Sequence, residues 1–155
     1  MNVILSIRPR YVELMMEGTK KYEFRKVIFK NKNINNVYIY TTSPVRKIVG
    51  SFKIGEIVED RPERLWDNFE AFSGLSAQEF FTYFNGVERG FAIGIECFRL
   101  FDEPLDPNDL MPRFVPPQSF CYLDTPSDDF EQRTYPHPRS LTETPTYQTI
   151  FPDAH

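Results

Sequence analysis

Histidine and cysteine are scarce in this 155-residue chain, and their scarcity removes whole classes of function. The two cysteines, Cys97 and Cys121, are too few and too isolated for a disulfide framework or a zinc site. Cys97 lies in the apolar run GFAIGIECF and reads as a small buried hydrophobe. Both histidines, His137 and His155, fall in the C-terminal tail, so no set of residues with metal-ligand spacing is visible and no metal or cofactor is expected. No apolar run approaches the ~20 residues of a membrane-spanning helix. The short run VILSI near the N-terminus has no cationic segment before it, unlike a secretory signal. The expectation is a cytoplasmic protein with no membrane partner. No internal repeat is present.

Aromatic residues, by contrast, are plentiful: 15 Phe, 8 Tyr and one Trp. Each ring buries a large area, so one compact domain can build its core from them at this length. The net charge of −4 hides an asymmetry. Residues 1–53 hold 11 Lys and Arg against 3 Asp and Glu, whereas residues 54–155 hold 7 against 19. A basic half beside an acidic half fits either an anionic partner for the first or mutual attraction within the fold.

Hydrophobic patterning predicts a strand over residues 2–7 and a short helix in RPRYVELMMEGT, with Pro9 in its first turn and Gly18 at its C-terminal end. Further strands are predicted at 20–29, 35–44, 47–59 and 90–101. Gly50 and Gly55 interrupt the fourth strand and suggest bulges or bends. Asp60 is expected to open a helix over 61–72 with Glu63 in a capping arrangement, and Ser76 with Glu79 forms a capping box for the next. The reading is an α+β domain whose curved sheet closes into a small barrel, with one helix after the first strand and a helical pair before the last.

From Pro104 the composition changes, and ten of the thirteen prolines lie between 104 and 152. Phe120 and Tyr122 are expected to pack back onto the barrel. Residues 123–155 carry six acids, two bases and too little apolar content to hold a core, so they read as an extended or disordered tail. The boundaries are thus 1–122 for the domain and 123–155 for the acidic, Pro-rich tail. That tail is either an interaction segment for a protein partner or an acidic mimic of nucleic acid covering the basic face.

The stretch EGTKKYEFRK puts Gly18, Lys20, Glu23 and Arg25 in the pattern G-x-K-x-x-E-x-R, where a helix hands over to a strand. Glu23 and Arg25 alternate onto one strand face, an arrangement that serves an ion pair at a barrel end as well as a ligand site. Lys20 and Arg25 can donate to phosphate, Arg in bidentate fashion, while an ionised Glu23 can only accept. Phe24 and Tyr38 read as core. Tyr40, at the end of its strand beside TTSP, suits either core or stacking.

This pattern resembles the signature of ASCH domains, members of the PUA-like superfamily. The ordered series YIYTTSPVRKIVGSF, LWDNFEAFSGLSAQEFFTYFNG, GFAIGIECF and PPQSFCYL extends the resemblance over residues 2–122. It implies a PUA-like curved β-barrel with a cleft beside the motif that receives RNA or a modified nucleotide. The nucleic-acid-binding candidates are Arg8, Lys20, Glu23, Arg25, Lys26, Tyr40, Thr41, Thr42, Ser43 and Arg46.

Two hydrolytic activities are also implied as alternatives. In an amidohydrolase branch acting on N4-acetylcytidine, a lysine matches Lys20, but the nucleophilic threonine three residues later is replaced here by Glu23. A further catalytic glutamate of that branch falls near Ser73, with Glu70 close by. In a metal-independent ribonuclease branch a tyrosine and a lysine share the work, for which Tyr40 and Lys47 are the candidates. The catalytic set, if the protein is an enzyme, is Lys20, Glu23, Tyr40 and Lys47. RNA binding in metabolism or regulation is the leading reading.

Overall fold

The computed structural model describes residues 1–123, and the acidic segment from 124 to 155 lies outside it, together with the expectations made for that segment. Strand β1 (Asn2–Ile7) leads into helix α1 (Pro9–Met16), then β2 (Tyr22–Arg25), β3 (Asn36–Thr41) and β4 (Lys47–Asp60). Helix α2 (Pro62–Phe69), a single 3-10 turn (Glu70–Phe72) and α3 (Ala77–Tyr83) intervene before β5 (Gly90–Leu105) and β6 (Phe120–Leu123). The strands form one mixed sheet in the order β2-β5-β4-β3-β1-β6. Among the described residues only the β1–β3 pair is parallel. The sheet curves strongly without closing, so β2 and β6 are its two edges. The fold is the α+β architecture the sequence predicts, with a curved sheet in place of a closed barrel.

Three apolar clusters hold it. Val3, Leu5 and Ile7 of β1 point into the inner core with Val37, Ile39, Val12 and Met15, whereas Ile4 points to the other face with Tyr38 and Tyr40. Burial on both faces explains the consecutive apolar residues Val3, Ile4 and Leu5 of β1. The third cluster, built on Phe24, Leu65, Phe80 and Phe84, attaches the helical pair to the sheet. Phe80 is its hub, with ring centroids 5.1 Å from Phe24, 5.0 Å from Trp66 and 4.8 Å from Phe84.

Several boundaries differ from expectation for local reasons. Asp60 does not open a helix; it ends β4, and its Oδ1 accepts from the Arg61 amide. Pro62 forces Arg61 into extended backbone (ψ 146°), so the helix begins one residue later. That helix stops at Phe69 and tightens into the 3-10 turn. The capping box at Ser76 and Glu79 forms as predicted.

Strand β3 ends at Thr41 because the chain turns, with the Val45 amide donating to the Thr42 carbonyl and Arg46 in left-handed backbone (φ 54°). Cys97 is exposed rather than buried. Ser51 pairs with Arg99 and Lys53 with Glu96, which leaves Cys97 and Phe98 opposite Phe52 alone. This bulge, with Cys97 at φ 50°, breaks the alternation that would have turned the thiol inward. Gly50 is required where β4 and β5 cross closely, since a Cβ there would overlap the Arg99 carbonyl oxygen. Phe120 and Tyr122 do anchor the chain: Phe120 meets Phe29 edge-on at 5.8 Å, and the Tyr122 hydroxyl accepts from the Lys30 amide at 3.1 Å. Strand β6 extends through Leu123, whose side chain is buried beside Ile4.

Truncating Phe80 to Ala removes the hub of the third cluster. Urea denaturation should show a loss of about 3–5 kcal/mol in unfolding free energy.

Candidate functional site

The helix-to-strand junction is built by a left-handed Gly18 (φ 82°), which ends α1 and lets the Lys20 amide return to the Leu14 carbonyl. From there Lys20 is carried inward to 2% exposure. Its Nζ donates to the Ser73 carbonyl at 2.8 Å and lies 5.3 Å from the Tyr11 ring centroid and 5.2 Å from that of Phe24. Two aromatic faces and one carbonyl thus replace most of the water shell of the ammonium. Burial drives the Lys20 pKa below its ordinary 10.5, against the pull of Glu23 and with the help of Arg25. Gly74 (φ 70°) follows Ser73 and lets the backbone approach, since a Cβ there would stand 3.1 Å from that of Lys20.

Arg25 performs a different task. Its Nη2 donates to the Ser6 carbonyl at 2.7 Å and its Nη1 to the Ser119 carbonyl at 3.0 Å. Ser6 belongs to β1 and Ser119 precedes β6, so one guanidinium on edge strand β2 bridges to the opposite end of the sheet. Glu23 sits two residues back on the same face, 7% exposed, with Oε1 3.8 Å from Arg25 Nε. Its Oε2 is buried and takes no hydrogen bond from the described residues, and Arg25 Nε is likewise unpartnered.

These three residues end in an open cleft of about 600 Å³ between the β1–β2 end of the sheet and helix α3. Arg8 and Tyr11 line one side, Gln78, Glu79, Thr82 and Tyr83 the other, and Gln118 closes the end. Glu79 is engaged locally: Ser76 and Arg10 bond its carboxylate and hold it below the usual carboxylate range, outweighing the upward effect of partial burial. Tyr83 is 37% exposed at the rim, with Lys26 Nζ 4.7 Å from its ring centroid. Burial raises the Tyr83 phenol, with Arg25 opposing and Glu23 reinforcing the shift.

Of the residues singled out from sequence, Arg8, Lys20, Glu23 and Arg25 converge on this cleft, and Lys26 stands at its edge through Tyr83. Tyr40, Thr41, Thr42, Ser43, Arg46 and Lys47 are not among its lining residues. Tyr40 is buried beneath Phe114, with ring centroids 5.0 Å apart. Thr41 is fully buried, and its hydroxyl has no partner among the described residues. Ser73 contributes its carbonyl rather than its side chain, whose Oγ bonds Glu70 and Leu75. The sequence reading missed the α3 wall. Residues 78, 79, 82 and 83 recur at helical spacing, but a polar stripe of that kind is indistinguishable from a solvated face.

The architecture is a curved α+β sheet with a charged, half-enclosed cleft at a helix–strand junction, and known proteins share the fold. No protein-family model matches the chain. Over 127 residues it is 29% identical to an ASCH domain-containing ribonuclease of Zymomonas mobilis, covering 77% of this chain and 82% of that protein. The crystal structure of ASCH from Zymomonas mobilis has a TM-score of 0.75 at 25% identity, over 85% of this chain and 92% of that one. The N-terminal domain of Staphylothermus marinus McrB shares the fold more distantly, with a TM-score of 0.51 at 12% identity over 85% of this chain. In sequence and in fold the chain is thus similar to ASCH domain proteins. No helix among the described residues is long and apolar enough to cross a membrane.

The two cations should respond differently to removal. Arg25→Met strands two carbonyls and the Glu23 charge, and should cost about 3–5 kcal/mol in urea denaturation. Lys20→Met removes a poorly solvated charge and should fall within about 1 kcal/mol of the parent. Between the depressed Lys20 pKa and 10.5 the unfolded chain holds a proton that the folded chain has lost. The penalty on Lys20 is therefore full below that window and gone above it. The parent's stability relative to Lys20→Met should rise as pH increases from neutral toward pH ~10.

Proposed function

We propose that this chain is an RNA-binding protein that takes one unpaired nucleotide of a single strand into the cleft beside Lys20, Glu23 and Arg25. The observation that carries this reading is a buried Glu23 carboxylate oxygen with no hydrogen-bond partner among the described residues, in a residue that lines an open cleft. A buried acceptor with no donor is costly, and a ligand N–H relieves it. The cleft's volume of about 600 Å³ falls in the range of small-ligand sites. Arg8, exposed and without an ion pair among the described residues, supplies positive charge at the mouth. The Zymomonas relative's designation as a ribonuclease supports RNA as the polymer.

RNA cleavage is the second reading, and that same designation favours it. Within the cleft Glu23 has the chemistry to take a 2′-hydroxyl proton, and Arg8 at the mouth to stabilise charge on phosphorus. Deacetylation of N4-acetylcytidine has less support. Glu23 stands where that activity uses a threonine, and Ser73 engages Lys20 through its backbone instead of offering a carboxylate.

Binding of a labelled single-stranded RNA should weaken with salt at a log–log slope of about −0.7 per phosphate contact. Arg8→Ala should make the slope shallower by about 0.7 without altering the fold. Absence of RNA binding at ~50 mM salt would overturn the reading. Incubation with pyrimidine-rich RNA decides the second: cleavage that disappears in Glu23→Gln supports it, and intact RNA removes it.

A further inference from the structure

The cations of the cleft floor are already engaged. Both terminal nitrogens of Arg25 are bonded to backbone carbonyls, and Lys20 Nζ is bonded to Ser73 and enclosed by two rings. Neither presents the open fork or flexible ammonium that a phosphate seeks. What remains unpartnered at the floor among the described residues is the opposite of an anion site. Glu23 Oε2 is an acceptor, and Arg25 Nε–H, beside it on the same strand face, is a single donor. The free positive charge lies outside, at Arg8. The rim carries an aromatic face, Tyr83, partly open to solvent.

We infer that the cleft takes the nucleotide base-first, with the phosphate left at the mouth near Arg8, and that Glu23 selects bases carrying an exocyclic amine over uracil. This rests on the RNA-binding reading and names the ligand chemistry of the same site. The selection follows from lone pairs. An exocyclic amine projects one bond beyond the ring and reaches a recessed carboxylate. In cytosine and adenine it stands beside a ring nitrogen that can accept from Arg25 Nε–H. In uracil the N3–H donor is flanked by two carbonyl oxygens. A carboxylate approaching N3–H meets both of them; Arg25 Nε–H can relieve one, and the other faces the Glu23 charge. Tyr83 then serves as a stacking surface indifferent to base identity.

The test uses the full chain and equal-length single-stranded oligo(A), oligo(C) and oligo(U), with guanosine and inosine 5′-monophosphates as competitors. Oligo(C) against oligo(U) holds ring size constant, and guanosine against inosine differs by one amine. Oligo(A) and oligo(C) should bind about tenfold or more tightly than oligo(U), and the guanosine nucleotide should compete better than the inosine nucleotide. Glu23→Gln keeps the side chain's shape, and should bring oligo(C) and oligo(U) to similar affinity while leaving the salt slope unchanged. Tyr83→Ala should weaken all three oligomers alike. Equal binding of oligo(U) by the parent chain, or a preference that survives Glu23→Gln, overturns the inference and leaves RNA binding standing. Failure of every oligomer to bind at low salt overturns both.

Discussion

The Arg25 guanidinium is the interaction on which the rest of the structure depends. A strongly curved sheet brings its two edges near each other, and an edge strand presents unpaired polar backbone. Here β2 and β6 do not pair, and the guanidinium occupies the gap, donating to a carbonyl of β1 and to one just before β6. Its planar fork is suited to this in a way lysine is not, because two donors leave one rigid group in divergent directions. Glu23, two residues back on the same strand face, balances the charge through its Oε1, while its Oε2 has no hydrogen-bond partner among the described residues. The opening beside the cleft is therefore held ajar by a charged pin.

Lys20 completes the arrangement from the helical side. Its bond to Ser73, together with the Lys21 amide's bond to the Phe72 carbonyl, ties the start of β2 to the loop between α2 and α3. The cleft is thereby bounded by two bodies, the sheet end with α1 and the helical pair, which meet along the motif. Burying an ammonium is expensive, and two aromatic faces offset only part of the cost. The result is a site whose charges are fixed before any ligand arrives.

Much of this was legible in the chain. The strands at 2–7 and 90–101, Pro9 and Gly18 around α1 and the Ser76–Glu79 box all follow from local rules. A cleft beside Lys20, Glu23 and Arg25 was what the resemblance implied, and all three residues line one here. The partners of the cations were not legible. Nothing local tells that Arg25 would spend its donors on residues 6 and 119, or Lys20 on residue 73, since those contacts span the fold. Tyr40 sits under Phe114 rather than in the cleft because its strand face is covered by the segment after β5, whose path no periodicity announces. Cys97 shows the same limit on a smaller scale: a bulge reverses sidedness without changing composition.

The helical pair enters and leaves between Asp60 and Gly90, residues paired across β4 and β5, and rests on an aromatic cluster of its own. Topologically it is an overgrown hairpin loop that happens to supply half of a binding site. Recognition and scaffolding can then diverge on separate schedules: exchanging residues 61–89 between kin would transplant one wall, with its polar lettering, onto an unchanged sheet.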